Sequence, residues 1–164
     1  MIAFRNKKFS LRVEKWRLPD GSTAEFASLV KRPGTNIIPF INADTILLIK
    51  QYRRPIRKWI YQLSGGKIEK GETPLQNAFK EIEEELGYKA SKMKLIGKFY
   101  SAPHISNDFQ YVFVATGLKK TKQRLERGEL IKVYPVKLKD AIKMVRSGKV
   151  IDSVTAASLL LLEG

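Results

Sequence analysis

Residues 65–88 read GGKIEKGETPLQNAFKEIEEELGY, a glycine-rich loop followed by a segment dense in carboxylates. Thr73 and Gln76 have the spacing of a helix capping box, and Pro74 suits the first helical position. Gly87 suits the position just after a helix, where a left-handed backbone favours glycine. The stretch therefore predicts a helix that begins after Thr73 and ends before Gly87.

The predicted helix has two neighbouring faces of different character. At about 100° per residue, Glu81, Glu84 and Glu85 gather beside an apolar face, while Glu83 points away from them. Like charges within one turn repel, and hard divalent ions such as Mg²⁺ or Mn²⁺ prefer carboxylate oxygens. A cation is therefore expected here, with a solvated acidic surface as the alternative. The apolar face consists of Leu75, Ala78, Phe79, Ile82 and Leu86.

The spacing of the whole stretch is more specific than its helix. From Gly66 to Tyr88 it reads G-x5-E-x7-K-E-I-x-E-E-x-G-Y. This closely resembles the Nudix box, G-x5-E-x7-R-E-U-x-E-E-x-G-U, where U is aliphatic. Lys80 stands in place of the family arginine, and Tyr88 in place of the last aliphatic residue. Lysine keeps the charge but lacks the planar fork that braces a carboxylate through two contacts.

The segment before the box resembles the ADP-ribose pyrophosphatase branch of this superfamily. Residues 46–55 read ILLIKQYRRP, and residues 59–63 read WIYQL. Arginines at a strand end can hold a diphosphate through paired, charge-assisted hydrogen bonds. Aromatic side chains there could serve as shelves for a base or ribose, or simply pack. The expected substrate contacts are Arg53 first, then Arg54, with Tyr52 and Trp59 as the aromatic candidates.

A loop after the box carries a further marker of the branch. Pro103 follows Gly87 by sixteen positions, as a proline does in that branch. His104 stands in place of the branch's glycine, and Asp108 in place of its glutamate. Pro103 and His104 are therefore expected at the substrate, with a solvated imidazole as the alternative for His104.

The resemblance implies hydrolysis of a nucleoside diphosphate derivative, with ADP-ribose giving AMP and ribose 5-phosphate as the leading case. It implies that Mg²⁺ or Mn²⁺ is held by Glu81, Glu84, Glu85 and the carbonyl of Gly65, with Glu129 as a further ligand. Cleavage of sugar nucleotides or of oxidised nucleotides is an alternative within the family. A catalytically weak module that binds RNA is an alternative of another class.

The residue that activates water is left open by the sequence. Glu129 opens an E-x-I-x-V pattern of the branch, and Glu126 lies three residues earlier. Glu84 itself is the third candidate for the general base. Glu72 and Lys80 are expected to brace the loop and the helix behind the metal ligands.

Composition limits the class of protein. The chain has 164 residues, 43% of them hydrophobic, which suits one domain with a real core. It has no cysteine, which excludes disulfides, thiolate metal sites and Cys-His catalysis, and its single histidine argues against Ser-His catalysis and zinc sites rich in histidine. No apolar run has the length of a membrane span, and residues 1–8 lack the apolar stretch of a signal peptide. A cytoplasmic protein without a membrane partner is expected.

The net charge of +15 raises the question of nucleic-acid binding. The lysines are spread along the chain, and no recognised nucleic-acid motif is present. Attraction of small anionic substrates, or a lysine-rich proteome, accounts for the charge equally well. A nucleotide substrate is therefore favoured, and nucleic acid remains the minority alternative.

The N-terminal region predicts a β hairpin. Residues 8–18 and 22–31 alternate apolar and polar side chains, with a turn at residues 19–21. In the ADP-ribose branch such an element helps to form a homodimer; the alternative is an edge hairpin on its own domain. The predicted domains are residues 1–36 for this hairpin, a candidate dimerisation element, and residues 37–164 for the Nudix domain.

The remaining elements predict one α/β/α sandwich of the Nudix fold, in which a mixed β-sheet lies between helices. A mobile loop is expected at residues 119–128. The predicted strands cover residues 37–40, 45–50, 92–100, 109–117 and 130–136. The predicted helices after the box cover Leu138–Arg146 and a segment from Asp152 or Ser153 through Leu162.

Overall fold

The computed structural model describes residues 1–6 and 9–163. The predicted start of the first hairpin strand, Lys8, lies outside the described residues. The strands are β1 (Ile2–Arg5), β2 (Ser10–Arg17), β3 (Thr23–Val30), β4 (Gly34–Pro39), β5 (Thr45–Arg53), β6 (Lys58–Gln62), β7 (Tyr88–Lys89), β8 (Lys92–Tyr100), β9 (Phe109–Thr116), β10 (Lys119–Lys120) and β11 (Ile131–Lys137). The helices are α1 (Pro74–Glu81), α2 (Leu138–Arg146) and α3 (Ser153–Leu160).

Two three-stranded sheets form the middle layer. One has the order β4-β9-β8 and is mixed, because β4 is parallel to β9 and β8 is antiparallel to it. The other has the antiparallel order β11-β5-β6. Isolated bridges join β4 to the start of β5 and to the loop after β6. The strands are close to those predicted, although β4 begins at Gly34 and β5 continues to Arg53.

Alternation along the strands divides the core between two helical layers. Successive residues of β4 and β5 point to opposite sides, so each side of the sheet layer receives its own apolar set. The set facing α1 contains Ile37, Leu47, Ile49 and Phe113, with Ala78, Ile82 and Leu86. The set facing α2 and α3 contains Ile38, Ile46, Leu48 and Val112, with Ala141 and Leu159. The predicted α/β/α arrangement is confirmed.

Helix α1 begins as predicted and ends differently. Thr73 and Gln76 form the capping box, with Pro74 in the first helical turn. Residues 82–86 then form a wider π-helical turn, which ends at Gly87 with a φ of 71°. The predicted apolar face is only partly buried, because Leu75 and Phe79 lie at the surface while the other three members face the sheet.

The N-terminal element has three strands instead of the predicted two. Strand β1 pairs antiparallel with β2, which pairs antiparallel with β3. All four residues of β1 are exposed, so the strand has no buried alternating face by which it could be predicted. No turn signal marks it in the sequence either. The predicted loop at residues 119–128 likewise contains the two-residue strand β10, which pairs with β7.

Within the described part of the chain, no helix combines the length and the apolar character that crossing a membrane requires.

Candidate active site

The glycine loop is laid along strand β4. The carbonyl of Gly66 accepts the N–H of Thr35 at 2.9 Å, and the carbonyl of Ser64 accepts the N–H of Ile37 at 2.8 Å. Between them, Gly65 has a φ of 155°, and any β-carbon there would overlap the Thr35 carbonyl. Only glycine lets the loop run this close to the strand.

The acidic helix packs directly against this loop. The N–H of Gly65 donates a hydrogen bond of 2.8 Å to Oε2 of Glu85. A β-carbon on Gly66 would overlap the Glu81 carboxylate. The carboxylates of two predicted metal ligands, Glu81 and Glu85, therefore lie directly against the backbone of the glycine loop.

Burial perturbs both carboxylates. Glu85 is 4% exposed, and burial raises its pKa to about 8, with the nearby charges of Glu81 and Glu129 adding to the rise. The Glu81 side chain is 13% exposed, and burial raises its pKa to about 7, although Lys80 opposes the change. Buried carboxylates that repel one another favour either a proton or a cation.

The donor set suits a hard divalent cation, although it is not assembled as a complete cage. Among residues 1–6 and 9–163, no three carboxylate or imidazole groups converge on one point that could hold an ion. The buried Glu85 and the largely buried Glu81 nevertheless supply oxygen donors beside the glycine loop, and a cation would replace the protons that their raised pKa values favour. Mg²⁺ and Mn²⁺ complete their coordination with water and substrate oxygens, so a partial protein cage fits them.

The other two glutamates of this segment differ from each other in their surroundings. Glu84 is half-buried, and its charge contributes to raising the pKa of Glu81. Glu83 is ion-paired with Arg124 at 2.9 Å and points away from the cluster, as the helix periodicity predicts. The sequence therefore distinguishes Glu83 from its neighbours correctly.

Glu72 and Lys80 lie beside Glu81. The Nζ atom of Lys80 is 3.0 Å from Oε1 of Glu72 and 3.8 Å from Oε1 of Glu81. Burial alone would raise the pKa of Glu72, but hydrogen bonds from the Glu69 backbone, Asn77 and Lys80 hold it below its ordinary value. The lysine thus contacts both carboxylates, closely at one and loosely at the other.

Residues 121–124 cap the end of the acidic helix. The N–H groups of Thr121 and Arg124 donate to the carbonyls of Gly87 and Glu84, at 2.7 and 2.9 Å. The Gln123 side chain donates to the carbonyl of Glu85. These bonds satisfy carbonyls that have no partner within the helix, and they fix the start of the loop that carries Glu126 and Glu129.

Glu126 and Glu129 are the two ends of one turn. The Glu129 carboxylate accepts the N–H of Glu126 at 3.0 Å, and the Glu129 N–H donates to the Glu126 carbonyl at 3.1 Å. Arg54 donates from Nη2 to the carbonyl of Gly128 within this turn, at 2.8 Å. Glu129 lies close enough to raise the pKa values of Glu81 and Glu85, whereas Glu126 is exposed.

The predicted substrate residues of β5 and β6 are split between two faces. Arg53 donates to Gln62 at 2.6 Å, and Gln62 lies opposite Ile49 on the side of the sheet that faces α1. Tyr52 and Trp59 form a cross-strand pair on the other side, with ring centroids 5.9 Å apart. The structure therefore brings Arg53 to the side of the acidic helix and leaves the aromatic pair on the opposite side.

Pro103 and His104 lie on a loop anchored to the N-terminal sheet. They line a shallow pocket of about 380 Å³ together with Trp16 and Phe26. Buried Asp108 secures the base of the loop with an ion pair to Lys31 at 2.9 Å. Burial alone would raise the pKa of Asp108, but hydrogen bonds from Ser106, Lys31 and Ser101 hold it below its ordinary value.

Asn77 is a site residue that the sequence analysis missed. It is fully buried in α1 and hydrogen-bonded to Thr35, the Lys67 carbonyl, Glu72 and Glu81. It lies next to Ala78, where the periodicity predicts only core packing. A lone asparagine inside a helix gives no signal that its partners come from a distant strand and loop.

Comparisons with known proteins agree with this geometry. The model of the NUDIX domain family matches residues 30–153. A Bacillus subtilis protein named ADP-ribose pyrophosphatase is 36% identical over 163 residues, covering 98% of this chain and 88% of that protein. A Bacillus methanolicus protein named methanol dehydrogenase activator is 30% identical over the same length and covers the same shares.

A solved structure described as an ADP compounds hydrolase shares the fold. Its TM-score is 0.86 at 19% identity, and the match covers 99% of this chain and 88% of that one. The family match over most of the chain and the nearly full-length relatives agree with the box and its buried carboxylates. The chain therefore belongs to the Nudix family and is a Nudix hydrolase.

Proposed function

We propose that the protein uses Mg²⁺ or Mn²⁺ to hydrolyse the diphosphate bond of a nucleoside diphosphate derivative, with ADP-ribose as the preferred substrate, giving AMP and ribose 5-phosphate. The observation that carries the proposal is the burial of Glu81 and Glu85 against the glycine loop, where their raised pKa values mark a place that favours a cation. The preference for ADP-ribose rests on the names of two relatives, from Bacillus subtilis and Mycobacterium tuberculosis.

Each part of the site has a role in this proposal. When bound, Mg²⁺ supplies positive charge that polarises the diphosphate and activates a water molecule. Glu81, Glu84, Glu85 and the Gly65 carbonyl are its proposed ligands, with Glu129 in reach as another. Arg53, on the same side of the sheet as α1, binds a phosphate oxygen through its guanidinium.

Glu129 is the proposed general base. As the water oxygen bonds to phosphorus, the proton passes to the carboxylate and the bridging P–O bond breaks. Glu129 is preferred to Glu126 because its charge acts on Glu81 and Glu85 and because Glu126 faces solvent. Glu84 is the alternative base in this scheme.

A panel of substrates tests the proposal. We expect ADP-ribose to give the highest kcat/KM with Mg²⁺, above sugar nucleotides such as GDP-mannose and above oxidised nucleoside triphosphates. A higher kcat/KM for either competitor would replace the substrate assignment but keep the reaction class. Absence of cleavage across the panel would overturn the reaction class itself.

We further propose that the protein acts as a homodimer, in the cytoplasm as the sequence leads us to expect. The N-terminal sheet has exposed apolar side chains, with Phe4, Trp16 and Phe26 each about half accessible. Burying such side chains against a second copy would remove apolar surface from water. Analytical ultracentrifugation of wild type and of Trp16→Asp tests this proposal. We expect wild type to sediment as a dimer and the variant as a monomer. A monomeric wild type would contradict the proposal.

RNA binding is a second candidate, favoured by one surface. On the sheet face opposite α1, Lys50 and Lys149 lie over the ring of Tyr61, and Lys132 lies over Trp59. Lysines interleaved with aromatic rings are typical of surfaces that bind single strands. Affinity for a single-stranded RNA that falls steeply with salt, and with Lys132→Gln, would support this candidate.

A further inference from the structure

The lysine at position 80 makes an uneven pair of contacts. Its Nζ atom is 3.0 Å from Glu72 but 3.8 Å from Glu81. An ammonium is a point charge, whereas a guanidinium presents several donors in one plane and can hold two carboxylates at once. Lys80 alone therefore leaves Glu81 loosely held.

Asn77 contacts the same two carboxylates. Its Nδ2 atom is 2.9 Å from Oε2 of Glu72 and 3.3 Å from Oε1 of Glu81. Lys80 reaches Oε1 of both glutamates and, at 3.4 Å, also Oε2 of Glu72. The amide and the ammonium together thus contact both oxygens of Glu72 and converge on one oxygen of Glu81.

The orientation of the Asn77 amide is fixed by its other partners. The Thr35 hydroxyl donates to Oδ1 at 2.6 Å, and Nδ2 is also 3.1 Å from the carbonyl of Lys67. Nδ2 shares its two hydrogens among three acceptors, and two of these, the Lys67 carbonyl and the ionised Glu72 carboxylate, have no proton to give, so the amide can point only one way. Thr35 and Asn77 are both fully buried, so bulk solvent does not compete for these hydrogen bonds.

We propose that Asn77 is a positioning residue for the metal site, and that Asn77 and Lys80 together replace the arginine of the Nudix box. Asn77 supplies the second donor that lysine lacks, so that Glu81 is held through Oε1. The hydrogen bond from Asn77 and the ion pair with Lys80 both reach this carboxylate at Oε1. Oε2 of Glu81 is therefore the oxygen left for a cation.

The inference rests on the proposed function only in taking Glu81 as a metal ligand. It predicts a specific rescue, because an arginine at position 80 would supply the missing donor. In the Asn77→Ala background, Lys80→Arg should restore metal binding. In wild type, the same change should have little effect, since Asn77 already makes the contact.

The test measures Mn²⁺ affinity of the metal-free protein by electron paramagnetic resonance, without substrate. We expect Asn77→Ala, and Asn77→Val as a variant that refills the volume, to weaken Mn²⁺ binding about 10-fold or more. Lys80→Arg should recover most of that loss in either background. Glu81→Gln should also weaken Mn²⁺ binding, which would show that the resonance signal reports binding at this site.

Thr35→Val is the matched control. It removes the bond to Oδ1 of Asn77 and destabilises the fold, but the Lys67 carbonyl and the Glu72 carboxylate still hold Nδ2 on the side of Glu81. We expect its Mn²⁺ affinity to stay within about twofold of wild type while its thermal midpoint falls. Equal loss of affinity in Thr35→Val and Asn77→Ala would overturn the positioning role, because it would make the effect one of general stability.

Two further outcomes separate this inference from the proposed function. Wild-type affinity in both Asn77 variants, or no recovery with Lys80→Arg, would overturn the positioning role alone. Mn²⁺ binding with the predicted rescue, in a protein that cleaves no nucleotide, would support the positioning role and contradict the proposed function.

Discussion

The N–H of Gly65 lies 2.8 Å from Oε2 of Glu85, so the glycine loop and the last turn of the acidic helix are joined by a direct hydrogen bond. This bond fixes the distance between the loop and the helix. Because the backbone of Gly65 also lies against the Thr35 carbonyl, neither partner can move away without breaking the pairing of the loop with β4.

Gly65→Ala tests this approach. The added methyl group overlaps backbone, so we expect the free energy of unfolding to fall by about 2–4 kcal/mol and hydrolysis to fall with it. Gly71→Ala is the control, because Gly71 also has a positive φ, of 85°, but open space around it. A denaturation midpoint that falls no further in Gly65→Ala than in Gly71→Ala would contradict the account.

The pH dependence of stability follows from the two buried carboxylates. In the unfolded chain they release protons near 4.5, whereas in the folded chain they keep them until about 7 for Glu81 and about 8 for Glu85. A raised pKa in the folded state means that stability is lost as pH rises through these values. We expect the metal-free protein to lose stability on the order of a few kcal/mol from pH 6 to 9.

Metal should oppose this loss, since a cation replaces the protons. We expect the increase in thermal midpoint caused by Mg²⁺ to be larger at pH 8.5 than at pH 6. Glu85→Gln should flatten the metal-free profile. A wild-type thermal midpoint that rises with pH over this range would contradict the assignment.

Arg54 tests whether the turn carrying Glu129 must be held in place. If Arg54 positions the turn through the Gly128 carbonyl, Arg54→Ala should lower kcat about 10-fold with little change in KM. If it contacts phosphate instead, as the sequence leads one to expect, KM should rise. Arg57→Ala, a neighbouring exposed arginine, serves as control and should change neither constant.

Arg53 and Trp59 test the division between the two faces of the sheet. We expect Arg53→Ala to raise KM about 10- to 100-fold, because it removes a charged hydrogen-bond donor on the side that faces α1. Trp59→Ala should leave KM within about twofold, because Trp59 lies on the other side with Tyr52. Steady-state kinetics with ADP-ribose distinguish the two variants. An equal rise in KM in both would contradict this division and would indicate that the aromatic pair contacts the substrate.

The acidic helix and its surroundings were predictable because their signals are local. The capping box, the glycine after the last turn and the outward direction of Glu83 all follow from spacing along one element. The change to a π-helical turn over residues 82–86 has no such signal. It arises where the helix end meets residues 121–124, which are far away in the sequence.

Contacts between distant segments account for what the sequence did not predict. Adjacent strand residues such as Tyr52 and Arg53 point to opposite faces, and the resemblance to a family does not assign those faces. Asn77 accepts a hydrogen bond from Thr35, which is 42 positions away. The sequence thus locates the chemistry, while the tertiary contacts decide which side chains can reach it.

The most direct measurement compares two adjacent glutamates of the π-helical turn, Glu83 and Glu84, in Mg²⁺-dependent hydrolysis of ADP-ribose. We expect wild type to release AMP and ribose 5-phosphate, Glu84→Gln to slow this at least about 100-fold, and Glu83→Gln to keep nearly full activity. The two changes remove the same charge one residue apart, from Glu84, whose charge acts on Glu81, and from Glu83, which is paired with Arg124. No hydrolysis by wild type, or equal activity in the two variants, would contradict the account.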